Sequence, residues 1–145
     1  MASTADRRST IENGNNLSLG ECPMIATTGV VYGGCFVIAN TAGNCTNGTD
    51  AASSRFVGVA REGATNTGAV GAAIAKLYTS GDFLFNISAS TLDATDIGKT
   101  VYIFDNDTVT DAGTATNDVP VGTLIRLPSA TTCIVRIQAG GFSAS

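Results

Sequence analysis

Four cysteines, two pairs of carboxylates and one Gly-Lys-Thr triplet are the side chains of this 145-residue chain whose types and spacing could do chemistry. Cys22, Cys35, Cys45 and Cys133 have 12, 9 and 87 residues between them, with no C-x-x-C pair and no histidine, so a structural zinc site is not expected. Two readings of the thiols stay open. They act as small buried hydrophobes, as in a reducing compartment, or they close two disulfides once the protein leaves it. If bridges form, the pairs expected are Cys35 with Cys45, across one short loop, and Cys22 with Cys133, joining the first and last strands.

The carboxylates Asp93 and Asp96, or Glu62 with Asp82, would suit glycosidase-type acid catalysis if one of a pair were held protonated beside the other. No sequence feature brings either pair together, and Glu62, between Arg61 and Gly63, reads as a solvated residue at a strand end. Gly98-Lys99-Thr100 matches the end of a phosphate-binding loop, but position 93 is Asp where that loop needs glycine. The following Val101-Tyr102-Ile103-Phe104 also reads as a strand rather than the required helix. Asp105-Asn106-Asp107 opens like a calcium loop. Val109, Thr110 and Thr116 then occupy the positions that need an oxygen ligand, a glycine and a glutamate, so a hairpin turn is expected instead. With no histidine the chain lacks the usual general base at neutral pH and every histidine-dependent nucleophile. No catalytic residue, cofactor or metal is therefore expected, and the chain is read as not an enzyme.

Composition points the same way. Only 14% of residues are charged and 6% aromatic, while 17 glycines, 20 alanines, 20 threonines, 11 serines and 10 asparagines fill more than half the chain. A hydrophobic share of 43% is too high for disorder, so a compact, turn-rich domain of small residues is expected. The net charge of −4 argues against a nucleic-acid partner, because phosphate binding needs a basic face. No apolar run approaches the roughly 18 residues of a membrane span, and the first residues do not resemble a secretory signal, so synthesis in a cytoplasm with no membrane partner is expected. Absent tryptophan removes a favoured platform for stacking a sugar or base.

The elements that must carry these residues are short. Residues 1–20 hold Ile11, Leu17 and Leu19 as isolated apolar positions among Asp, Arg, Glu and a Gly/Asn-rich run, and they read as an extended or partner-ordered arm. Residues 21–145 read as a single β domain. Strands are expected at 22–28, 30–39, 55–61, 100–104, 108–111, 119–127 and 132–138, with a turn at Asn40-Thr41-Ala42-Gly43. Segments 73–79 and 82–88 read as a hairpin about Ser80-Gly81, with Phe83, Phe85 and Ile87 on one face. In the last strand Cys133, Val135 and Ile137 share a face. One short helix is expected over 90–97, capped by Ser90-Thr91-Leu92-Asp93 and stopped at Gly98. The fold class is all-β, a small barrel or sandwich of short antiparallel strands.

One stretch goes further. Thr95-Asp-Ile-Gly-Lys-Thr-Val-Tyr-Ile-Phe-Asp105, Thr108-Val-Thr110, Val119-Pro-Val-Gly-Thr-Leu-Ile125 and Thr132-Cys-Ile-Val-Arg-Ile137 together resemble the C-terminal half of tailed-bacteriophage capsid cement, or head decoration, proteins. Gly33-Gly34-Cys35-Phe36-Val37 and Phe56-Val57-Gly58-Val59-Ala60 are similar to that family's earlier strands. The resemblance covers about residues 22–138, and the 44–54 loop and four cysteines depart from it.

The resemblance implies a virion protein on the outer capsid surface: a homotrimer that clamps neighbouring subunits of the major capsid protein, with no catalytic duty. In that role the arm would add contacts through its backbone and through Ile11, Leu17 and Leu19. The rival expectation is a β-sandwich adhesion module, of a phage or a cell surface, that binds glycans through loops such as 44–50.

Overall fold

The computed structural model describes residues 3–4, 11–89 and 91–139. Side chains of residues 11–17 lie outside that description, as do Ser90 of the expected helix cap and the last six residues of the chain.

The chain forms eleven strands. In order they are β1 (Ile11–Pro23), β2 (Gly29–Val31), β3 (Phe36–Ala39), β4 (Cys45–Asn47), β5 (Arg55–Ala60), β6 (Ala64–Asn66), β7 (Ile74–Ile87), β8 (Thr100–Asp105), β9 (Thr108–Thr110), β10 (Pro120–Arg126) and β11 (Thr132–Gln138). A three-residue 3-10 turn, Ala94–Asp96, is the only helical element among the described residues. The expected all-β class is what the chain adopts.

β7 organises everything else. The residues expected to form a hairpin about Ser80-Gly81 instead make one continuous 14-residue strand. A hairpin would need its two halves to pair with each other, whereas each half of β7 has partners of its own. The first half lies between β1 and β5, and the second half pairs with β11 through residues 80–86 and with β9 through Asn86 and Ile87. Gly81, at φ +126°, supplies the bend between the halves from a backbone region that side chains disfavour.

From the second half of β7 the pairing runs through β11, β10, β8 and β9 and returns to β7, closing a five-stranded barrel; only β7–β9 is parallel. Closure leaves these strands no free edge. Phe83, Phe85 and Ile87 from β7 and Cys133, Val135 and Ile137 from β11 all point into its core, as their alternation predicts. Phe36 lies against Phe85 and Phe56, with ring centroids 4.3 and 5.6 Å apart.

The first half of β7 belongs to a second layer, ordered β4–β3–β5–β7–β1, beside a separate two-stranded sheet of β2 and β6. Its core is small-residue and sulfur-rich: Cys22, Met24, Val31, Val37, Ala39, Cys45, Ala60, Ala75 and Leu77.

Several boundaries differ from expectation. The expected strand 30–39 breaks between Val31 and Phe36, where Gly34 at φ +78° and the Cys35 amide to the Tyr32 carbonyl (3.1 Å) make a turn that sends β2 to its own partner β6. The short helix reduces to the 3-10 turn, and its cap begins three residues later than expected. Asp93 Oδ1 accepts the Thr95 N–H and Asp96 Oδ2 accepts the Asp93 N–H, both at 2.9 Å. The strand expected over 22–28 ends at Pro23, apart from an isolated bridge from Met24 to Cys45.

Candidate interaction surface

The segment expected as an arm is in large part a strand of this chain's own sheet. β1 runs antiparallel to β7 from Ile11 opposite Phe83 to Pro23 opposite Ile74. Its register slips three times, most strongly between Asn13 (opposite Asp82) and Ser18 (opposite Ser80), so Leu17 lies in an irregular stretch. Ile11 opens the strand, and only backbone is described for both residues. Among the described residues no second strand pairs with the other edge of β1.

From Leu19 onward the chain alternates. Cys22 and Met24 are buried, while Leu19, Glu21 and Pro23 are exposed. Leu19, Glu21 and Pro23 stand opposite Tyr78, Lys76 and Ile74, so a rung of opposite charges separates two apolar rungs on the solvent side. Lys76 also reaches Glu62 at 3.8 Å, and the Arg61 guanidinium sits 6.0 Å from the Tyr78 ring centre. Leu19 is 62% exposed and Ile74 41%. Val70, also exposed, belongs to the loop that Gly71 N–H ties to the Met24 carbonyl at 2.9 Å. Three of the five large exposed apolar residues among those described therefore belong to β1, the start of β7 or the loop beside them.

Compared with protein-family models, curated proteins and solved structures, the chain matches none. The cement-protein resemblance therefore rests on the quoted residues alone.

The carboxylates weighed as acids are engaged in structural roles. Asp93 caps the 3-10 turn, and the Thr95 hydroxyl and amide hold its carboxyl below the usual range, opposite to what a general acid needs. Asp96 lies 3.5 Å from Lys99. Glu62 faces Lys76, whereas Asp82, almost fully buried on β7, takes a two-pronged grip from Arg136 directly opposite on β11: Nε to Oδ1 at 2.8 Å and Nη2 to Oδ2 at 3.0 Å. The guanidinium pKa is raised in turn by that carboxylate. A surface depression of about 530 Å³ beside the 3-10 turn holds Asp96, Lys99, Tyr102 and Asp111, but its one lysine already faces Asp96.

Loops outside the sheet spend their polar groups on the protein itself. Asp107 N–H bonds Asp105 Oδ1 at 3.2 Å, the expected side-chain turn. Asn106, fully buried, works as a clamp. Its Oδ1 accepts the Ser3 N–H, and its amide donates to the Ser3 carbonyl and to Asn47 Oδ1, all within 2.9 Å. Asp50 accepts the Thr116 and Asn117 N–H groups at 2.6 and 2.9 Å, tying the 44–54 loop to the 111–118 loop. Asn47 and Asp50, two of the polar side chains in the 44–50 loop, are thus turned onto this chain.

All four cysteines are buried free thiols. Cys133 lies in the barrel core and Cys22 in the second layer's core, so the expected bridge between them would have to join two separate clusters. Cys45 also lies in the second layer, and its Sγ is 3.4 Å from the Cys22 carbonyl. Cys35 sits in the turn before β3. The neighbour of Cys45 is thus Cys22, a long-range pairing that spacing along the chain cannot show.

Proposed function

We propose that this chain is a non-enzymatic capsid decoration protein: a homotrimer on the outside of a tailed-phage head that stabilises the shell by clamping subunits of the major capsid protein. The observation that carries the reading is β1, a long strand with one edge unpaired among the described residues and an exposed apolar face at Leu19, held against a rigid barrel. A cement protein needs a stiff body and an extended backbone edge that a neighbour's strand can join. The resemblance over residues 95–137 and the structural engagement of the carboxylates support the same reading.

The test is binding of the purified full chain to purified undecorated heads, with its mass in solution measured alongside. The expected result is a trimer that saturates the heads and shifts their disruption to higher temperature. Leu19→Glu, a change at an exposed position, should weaken head binding at least tenfold while leaving the unfolding midpoint in place. A monomer that ignores the heads, or a Leu19→Glu variant that binds like the parent, overturns the reading.

A further inference from the structure

We infer that Cys22 and Cys45 are a dithiol site that closes to a disulfide on exchange with a small disulfide of the oxidised-glutathione class. Neither partner is the one that chain spacing suggests for it, and the inference does not depend on the function proposed above.

The geometry comes first. Cys22 lies on β1 and Cys45 opens β4, and these are the two outermost strands of the β4–β3–β5–β7–β1 layer. The layer curls until the residues just after β1 reach the start of β4. Met24 bridges Cys45, Ile25 N–H bonds the Cys45 carbonyl at 3.0 Å, and Cys45 Sγ approaches the Cys22 carbonyl at 3.4 Å. Cys22 Sγ in turn lies 3.4 Å from the Gly43 carbonyl, in the turn leading to β4. The two thiols share one buried cluster, which the small side chains Ala39, Ala60 and Ala75 help to line. Cys133 has no such partner in the barrel core.

The two sulfurs are also chemically unequal. A hydrogen bond from Cys45 lowers the pKa of the Cys22 thiol, with the Arg55 charge adding to the effect, while the same bond and burial push that of Cys45 up. Cys22 is 7% exposed and Cys45 fully enclosed, so attack begins at Cys22, on an edge strand whose opening uncovers it.

The Cys22 thiolate attacks one sulfur of the small disulfide. The S–S bond of that molecule breaks, and its departing thiolate takes a proton from water. Cys45 then gives its proton to solvent and attacks Cys22 Sγ, expelling the second small thiolate, which is protonated in turn. The protein loses two hydrogens and two electrons, and one small disulfide becomes two thiols. The product is a covalent tie between the two edges of the layer, which fastens β1 to the body.

The test uses the full-length chain in buffers of rising oxidised-to-reduced glutathione ratio, quenched with an alkylating agent in acid denaturant so that every free thiol reacts, and read by intact mass and non-reducing peptide mapping. Expected are the loss of two alkylatable thiols out of four, a linked peptide containing Cys22 and Cys45, and a rise in unfolding midpoint of about 10 °C that reductant reverses. Cys45→Ser should trap glutathione on Cys22, and Cys22→Ser should show neither adduct nor bridge. Four free thiols in the most oxidising buffer, an adduct on Cys22 that never resolves in the parent chain, or a bridge through Cys35 or Cys133 would each overturn the inference.

Discussion

Phe36→Ala is the sharpest test of how the barrel holds together. The ring is fully buried, packed on Phe85 at 4.3 Å between centroids and edge-on to Phe56 at 5.6 Å. Alanine keeps the β-carbon, so the close approach of Gly48 to Phe36 Cβ survives. So do both backbone bonds at this residue, Phe36 N–H to Asn106 and Gly48 N–H to Phe36, each 2.8 Å. What disappears is the ring and nothing else. Removing a buried phenylalanine ring costs about 3–5 kcal/mol in transfer and cavity terms. Two aromatic contacts add about 0.5–1.5 kcal/mol each, which places the loss at about 4–8 kcal/mol. A domain of this size has total stability of about 5–15 kcal/mol, so the variant should keep roughly half. In urea unfolding the midpoint should fall by about 2 M with an unchanged slope, while Phe36→Leu, which refills most of the volume, should lose about 1–1.5 kcal/mol. Phe104, 45% exposed on β8, serves as the control, and Phe104→Ala should move the midpoint little. A Phe36→Ala loss below 1.5 kcal/mol, or one no larger than that of Phe104→Ala, would refute the packing account.

Three further substitutions probe other parts of the fold. A β-carbon at Gly122 would meet the Arg136 carbonyl oxygen at 2.0 Å, with the next two atoms also backbone of β11, so Gly122→Ala must push β10 from β11 and should leave little folded soluble protein. At Gly113 nothing lies within 4 Å, and Gly113→Ala should cost only about 1 kcal/mol for its positive φ, as read by thermal unfolding. Burial pushes the Cys133 thiol up from 9.0 to about 12, so at neutral pH it should alkylate about 1,000-fold more slowly than an ordinary thiol until the protein unfolds. Because its folded value is the higher one, the stability it contributes is fully present below pH 9 and is lost as pH rises towards 12, by about 1.4 kcal/mol per pH unit. That part of the alkaline slope should vanish in Cys133→Ala; an unchanged slope would show that burial is not what holds the thiol neutral.

How far the fold could be read along the chain depended on whether the deciding interaction was local. β11 was legible residue by residue, because Cys133, Val135 and Ile137 alternate with Arg136 and Gln138 and one face alone enters the barrel core. The turn at Asp105-Asn106-Asp107 was legible because its chemistry stays within three residues. Ser80-Gly81 misled because a small residue before glycine marks a hairpin only if the flanking segments pair with each other, and here β1 and β11 claim them from outside. β4 and β6 are three residues each, too short to show alternation. The clamp of Asn106 on Ser3 spans 103 positions, and the approach of Cys45 to Cys22 spans 23, so neither leaves a trace in spacing.

The same reasoning changes what an arm means in this protein. A segment poor in apolar residues cannot order itself, and on composition the first 20 residues should wait for a partner. The backbone of β1 finds that partner at home, on the edge of β7, and its contribution is mostly hydrogen bonding, which composition does not record. Removing residues 1–20 would therefore do two things at once. It would take away surface offered to a neighbour, and it would strip β7 of its cover from Leu77 to Phe83, leaving a bare strand edge prone to pair with another copy. Loss of head binding after such a deletion would not separate recognition from damage. An exposed substitution such as Leu19→Glu keeps the β1 ladder intact and alters only the outward face, so the side chain's part in binding can be measured apart from the strand's part in folding.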